Sequence, residues 1–103
     1  MRKITQDAIR AFTNMQPFKR GNTEVKILKD EGSLKPNFAR LILHGNTIAE
    51  KSHKGIQITS AGWKTNTTKE RLNGLPNVNI TQKDFVWYLN GHAWNGGWIK
   101  ITD

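Results

Sequence analysis

At 103 residues the chain is long enough for one domain with its own core, and it has no cysteine, which excludes disulfides, cysteine-ligated zinc and thiol catalysis. Sixteen Lys and Arg against eight Asp and Glu leave a net charge of +8, which attracts polyanions but says nothing about fold. No stretch approaches the ~18 apolar residues of a membrane span, and the basic opening Met1-Arg2-Lys3 is not followed by a continuous apolar run. A soluble protein of a reducing cytoplasm is expected.

The first element reads as a helix. Thr5 is placed as its cap, Asp7 in the first turn, Ile4 and Ile9 at the positions of a hydrophobic staple, and Pro17 as the stop. Ala8, Ile9, Phe12 and Met15 then share one face.

From Thr23 the hydrophobic period becomes two. Residues 23–29 form a strand, Asp30-Glu31-Gly32-Ser33 breaks it, and Pro36-Asn37 delays the next. Residues 38–44 and 47–52 flank Gly45-Asn46, read as a tight two-residue turn, which sets Leu43 opposite Ile48, Leu41 opposite Glu50 and Arg40 opposite Lys51. Two like charges face each other in that register, a costly arrangement unless an anion or a carboxylate intervenes, so Arg40 and Lys51 are candidate anion contacts. His53-Lys54-Gly55 turns the chain into residues 56–60, completing four antiparallel strands.

The second helix is short. Thr67 and Glu70 match a capping box, Leu72 and Leu75 supply an apolar edge, and Gly74 with Pro76 ends it. Lys69 and Arg71 project to either side of that edge and cannot form one tight basic face.

Val78-Asn79-Ile80-Thr81 alternates, Gln82-Lys83-Asp84 turns, and residues 85–89 are the strongest strand. Asn90-Gly91 is the preferred pair of a type I′ hairpin, so Leu89 faces His92, Tyr88 faces Ala93 and Trp87 faces Trp94. After Asn95-Gly96-Gly97, residues 98–101 make a last edge strand. Alternation assigns Phe85, Trp87 and Leu89 to the core and leaves Tyr88 and Trp63 as surface aromatics. The expected fold is α+β: a twisted antiparallel sheet of five to seven short strands with an N-terminal helix and one short helix.

His44, His53 and His92 lack metal-ligand spacing, and the carboxylates show no nuclease-like cluster, so neither catalysis nor a cofactor is expected. The expected functional surface is the loop and helix start carrying Trp63, Lys64, Thr65, Thr68, Lys69 and Arg71. Its amides, hydroxyls and cations would hold a phosphate or an acidic side chain, while Trp63 and Tyr88 offer faces for base stacking. The order of helix then hairpin is similar to that of winged DNA-binding modules, but the preceding helices of such modules are missing. Backbone contacts are therefore expected rather than sequence readout.

Leu43-His44-Gly45-Asn46, Gly62-Trp63, Thr67-Thr68-Lys69-Glu70-Arg71-Leu72-Asn73 and Trp87-Tyr88-Leu89-Asn90-Gly91 followed by Trp94 resemble blocks of small uncharacterised proteins encoded by tailed bacteriophages. The resemblance covers roughly residues 20–100. It implies a small phage protein acting in the cytoplasm of a bacterial host and transfers no site residues. Two roles follow as expectations: non-catalytic nucleic-acid binding through backbone contacts and aromatic stacking, or inhibition of a host or anti-phage defence protein.

Overall fold

The computed structural model describes residues 1–101. In chain order it contains α1 (Lys3–Thr13), β1 (Phe18–Arg20), β2 (Thr23–Leu28), β3 (Phe38–Leu43), β4 (Asn46–Ser52), β5 (Gly55–Ile58), α2 (Asn66–Leu72), β6 (Ile80–Lys83), β7 (Val86–Leu89), β8 (His92–Ala93) and β9 (Ile99–Ile101). The first five strands meander, and β9 returns to pair with β5, giving a six-stranded antiparallel sheet in the order β1-β2-β3-β4-β5-β9. The class is α+β with an N-terminal helix, as expected. β6, β7 and β8 stand apart as a second, three-stranded sheet. No helix among the described residues is long and apolar enough to cross a membrane.

Helix α1 begins earlier than a Thr5 cap implies. Arg2 occupies the N-cap position without a side-chain hydrogen bond, and Thr5 is turned inward and fully buried. Asp7 is thus outside the first turn; it binds Lys3 one turn away and Arg20 on β1 at 2.8 Å. The helix ends in a Schellman motif: the Gln16 N–H donates to the Ala11 carbonyl at 2.8 Å and the Met15 N–H to the Phe12 carbonyl, with Met15 at φ 56 where glycine is usual. Met15 therefore lies beyond the helix rather than on its face.

The β3–β4 hairpin corrects the expected register. Its turn is His44-Gly45, so Leu43 pairs with Asn46 and Ile42 with Thr47; the register then slips, and Leu41 pairs with Ala49. The extra residue is Ile48, 1 % exposed, so the bulge adds a large side chain to the core. Arg40 consequently faces Glu50, with 3.4 Å between Nε and Oε1, and the like-charge pair with Lys51 does not exist. Lys51 shares the inner face with Ala49, and its ammonium donates to the Thr13 carbonyl, satisfying a free acceptor at the end of α1.

In the second sheet the β7–β8 hairpin has the expected register. Tyr88 pairs with Ala93 and Leu89 with His92; the Trp94 N–H donates to the Trp87 carbonyl at 2.9 Å, and the two indole centroids are 6.2 Å apart. The β6–β7 turn differs: it is Asp84-Phe85, with φ of 53 and 68, which leaves Phe85 at the hairpin tip, 94 % exposed rather than in the core. Trp87 and Leu89 are buried as expected.

One polar cluster crosses this apolar interior. Arg71, on α2, is wholly buried, which removes it from the expected cationic surface. Its Nη1 donates to the Thr5 hydroxyl at 2.6 Å and to the Glu70 carboxylate, and its Nε donates to the Thr23 hydroxyl at 3.0 Å. Thr5 in turn donates to Glu70. The guanidinium thereby ties α1, α2 and β2 together, and Glu70 is occupied as its counter-ion rather than as half of a capping box. Arg71 Nη2 and Glu70 Oε2 are buried without a hydrogen-bond partner among the described residues.

Removing one member of such a cluster strands the others. Arg71→Met is expected to cost about 3–5 kcal/mol, and adding Thr5→Val with Glu70→Met recovers part of the loss, because the unpaired groups then go with the charge. Urea unfolding checks both; an unchanged Arg71→Met midpoint would show that the cluster contributes nothing.

A second expectation concerns acid. The hydrogen bond from Arg20, helped by Lys3, holds the Asp7 carboxyl below the usual carboxylate range. Its contribution is complete above the unfolded value of about 4 and is lost as pH falls through the lower folded value. Asp7→Asn should therefore flatten the acid limb of a stability–pH curve below about pH 4 and leave the alkaline limb unchanged.

Candidate functional site

The loop that leaves β5 and enters α2 stands beside the end of the β3–β4 hairpin, and a cleft of about 340 Å³ opens between them. Leu43 and Ile48, nearly fully buried, form its apolar floor, and Trp63, 60 % exposed, contributes an indole. Around these lie polar side chains: His44 and Asn46 from the hairpin, Ser60, and Thr65, Thr67 and Thr68. Apart from the imidazole no titratable group lines the cleft among the described residues, so the contacts it offers are apolar and hydrogen-bonding rather than ionic.

Local chemistry fixes the loop. Thr65 is the N-cap of α2, accepting from the Thr68 N–H at 3.1 Å, and its hydroxyl lies 3.0 Å from that of Thr68, which is buried. Thr67, the expected cap, instead lines the cleft. On the opposite side the Gly96 carbonyl accepts from the Ser60 N–H at 2.8 Å, the Thr59 hydroxyl at 2.9 Å and the Ser60 hydroxyl at 3.0 Å. A Cβ at Gly96 would lie 2.4 Å from Ser60 Oγ and 3.1 Å from Lys64 Cε, so only glycine permits this approach, and the Lys64 stem lies across it.

A directed hydrogen-bond chain links the cleft to the buried cluster. Because Thr23 Oγ1 accepts from Arg71, its proton goes to Asn22 Oδ1 at 2.8 Å; Asn22 Nδ2 then faces His44 Nε2 at 3.3 Å. Nε2 is the accepting nitrogen in that arrangement, and the ring N–H sits on Nδ1.

Of the residues expected to form the site, Trp63, Thr65 and Thr68 line the cleft, and Lys64 follows Trp63 in the chain. The others are elsewhere. Lys69 donates to Gln82 Oε1 at 3.3 Å, Arg71 is buried, Tyr88 is half-buried on the second sheet, Arg40 is paired with Glu50, and Lys51 reaches the Thr13 carbonyl. The helix-start amides do not add a free anion site, since the cap and a helix of only seven residues leave little dipole to use. Sequence reasoning missed Leu43, His44, Asn46, Ile48, Ser60 and Thr67 as lining. The approach of Leu43, His44, Asn46 and Ile48 to Trp63 depends on packing of the hairpin against a loop that follows it in the chain, which no local spacing encodes, whereas Ser60 and Thr67 are near neighbours of Trp63 in sequence.

Comparison with known proteins places the chain in a family. It matches the Kyanoviridae Gp96 protein over residues 1–100 and belongs to that family of phage-encoded proteins. No curated protein and no solved structure matches it.

The cap assignment has a measurable consequence. Thr65→Ala is expected to cost about 1 kcal/mol, while Thr67→Ala stays within about 0.5 kcal/mol of wild type. Thermal or urea unfolding separates the two, and the reverse order would return the cap to Thr67.

Proposed function

We propose that this phage protein binds nucleic acid without catalysis, taking an unpaired base into the cleft against Trp63 while neighbouring cations meet the phosphates. The observation that carries the reading is the Trp63 indole, 60 % exposed beside a floor of Leu43 and Ile48 and a ring of hydroxyl and amide groups. An aromatic face that contributes little to the core is available for stacking, and base stacking on such a face contributes about 1–3 kcal/mol. Stacking on a free aromatic face requires an unstacked base, which favours a single strand.

Charge supports the same reading. Of sixteen Lys and Arg, Lys3, Arg20, Arg40 and Arg71 are in ion pairs within 4.0 Å among the described residues. Most of the remainder are exposed, Lys64 among them. An excess of unpaired surface cations speeds capture of a polyanion and makes affinity fall with salt. The place of action would be the host cytoplasm.

A second reading, inhibition of a host or anti-phage defence protein, draws support from the edge strand β9. Trp98, just before it, and Ile99, its first residue, are 51 % and 39 % exposed, more apolar surface than a sheet edge ordinarily leaves open.

Titration of labelled single-stranded oligonucleotides distinguishes the two. Binding in the micromolar range at about 50 mM salt is expected, falling steeply as salt rises. Trp63→Ala should weaken it about tenfold, and Lys64→Glu should weaken it more than Lys29→Glu, an equal charge change at a distant exposed position. Absence of binding at low salt would dispose of the nucleic-acid reading and leave the second; equal losses for the two lysines would mean that only net charge matters.

A further inference from the structure

The hairpins β3–β4, β6–β7 and β7–β8 all close through two residues at positive φ: His44-Gly45 at 50 and 80, Asp84-Phe85 at 53 and 68, and Asn90-Gly91 at 50 and 89. The second position of this turn favours glycine, because a Cβ there is strained, and two of the three hairpins obey. The third holds phenylalanine. Asp84 is ordinary turn chemistry; Phe85 is not.

No contact among the described residues compensates for that strain. Phe85 is 94 % exposed, so its ring buries almost no surface, and Val86 beside it is 40 % exposed. The base of the hairpin is by contrast firmly held, with Ile80, Trp87 and Leu89 all in the core. A two-stranded arm anchored at its base therefore projects an aromatic ring into solvent at a position that disfavours it for folding. Strain kept without a structural return is the mark of a contact made with something else.

The charges around the ring select the partner. Lys83 precedes the turn and pairs across it with Val86, and Lys69 donates to Gln82 Oε1 on the same strand, against the single carboxylate of Asp84. An aromatic tip with one cation toward each face of its hairpin, in a chain of net charge +8, is complementary to a base carried on a phosphate backbone.

We propose that Phe85 is a stacking wedge that lies against an unpaired base of a bound single strand, with Lys83 and Lys69 facing the adjoining phosphates. This rests on the nucleic-acid reading above and adds a contact point remote in sequence from Trp63. The wedge makes an unusual demand: its removal should help the fold and harm the function.

The test compares wild type, Phe85→Gly and Trp63→Ala on two strands of about 12 nucleotides, one of oligothymidine and one abasic throughout, so that the phosphates are the same and only the bases differ. Phe85→Gly is expected to lower affinity for oligothymidine about tenfold, to leave affinity for the abasic strand unchanged, and to keep the same salt dependence, since no phosphate contact is lost. Its thermal midpoint should rise by a few degrees. Unchanged oligothymidine affinity in Phe85→Gly, with Trp63→Ala still impaired, would overturn the wedge and leave the parent reading standing. An equal loss on both strands, or a lower thermal midpoint, would also overturn it by giving Phe85 a structural role. Failure of the wild type to bind either strand would remove both.

Discussion

A guanidinium cannot shed its proton to enter a protein interior, so wherever Arg71 is buried it must bring a counter-ion and acceptors with it. Glu70 supplies the charge from the same helix, while Thr5 and Thr23 supply hydroxyls from α1 and β2. Apolar packing alone would tolerate small rotations of α1 and α2 over the sheet; hydrogen bonds from one planar group to both elements do not. Gly74 adds to this closeness, because a Cβ there would meet Ile9 and Thr5 at 2.8 and 3.0 Å. The crossing of the two helices is thus set by a polar contact inside an apolar layer.

The cleft follows from that arrangement. Once α2 is held by Arg71, its Thr65 cap and the Trp63 loop take up their place beside the hairpin turn at His44, and the chain through Thr23 and Asn22 orients the imidazole that faces them. The bulge at Ile48 contributes in a second way, by moving one residue from the ladder into the floor. The second sheet joins the same core through Ile80, Trp87 and Leu89, and only the tip at Phe85 stands clear of it.

Legibility in the sequence tracked how local each determinant is. Asn90-Gly91 stated its own turn, and the partners Trp87 and Trp94 followed from counting outward. The end of α2 at Gly74 and Pro76, and the meander from β2 to β5, were readable for the same reason. At the β3–β4 hairpin two adjacent turn pairs compete, His44-Gly45 and Gly45-Asn46, and a bulge later absorbs the one-residue difference, so pattern alone could not choose. Thr65 and Thr67 compete in the same manner for the cap, and the capping box failed because Glu70 was drawn away by a charge beside it. Burial of Arg71 was the hardest to read. Its hydroxyl partners are 48 and 66 residues distant, and a cation beside an apolar stripe ordinarily reaches water.

The span of the Arg71–Thr5 contact bears on how the chain is made. At roughly 5–20 residues per second, a ribosome that has released α1 needs about 3–13 s more to deliver the residue that holds it. During that interval the face carrying Ala8, Ile9 and Phe12 has only the early strands to rest against, and Thr5 has no partner from α2. The polar lock on the first helix thereby forms only after α2 has been made. Synthesis begins with an element that rests on its strands before it is locked.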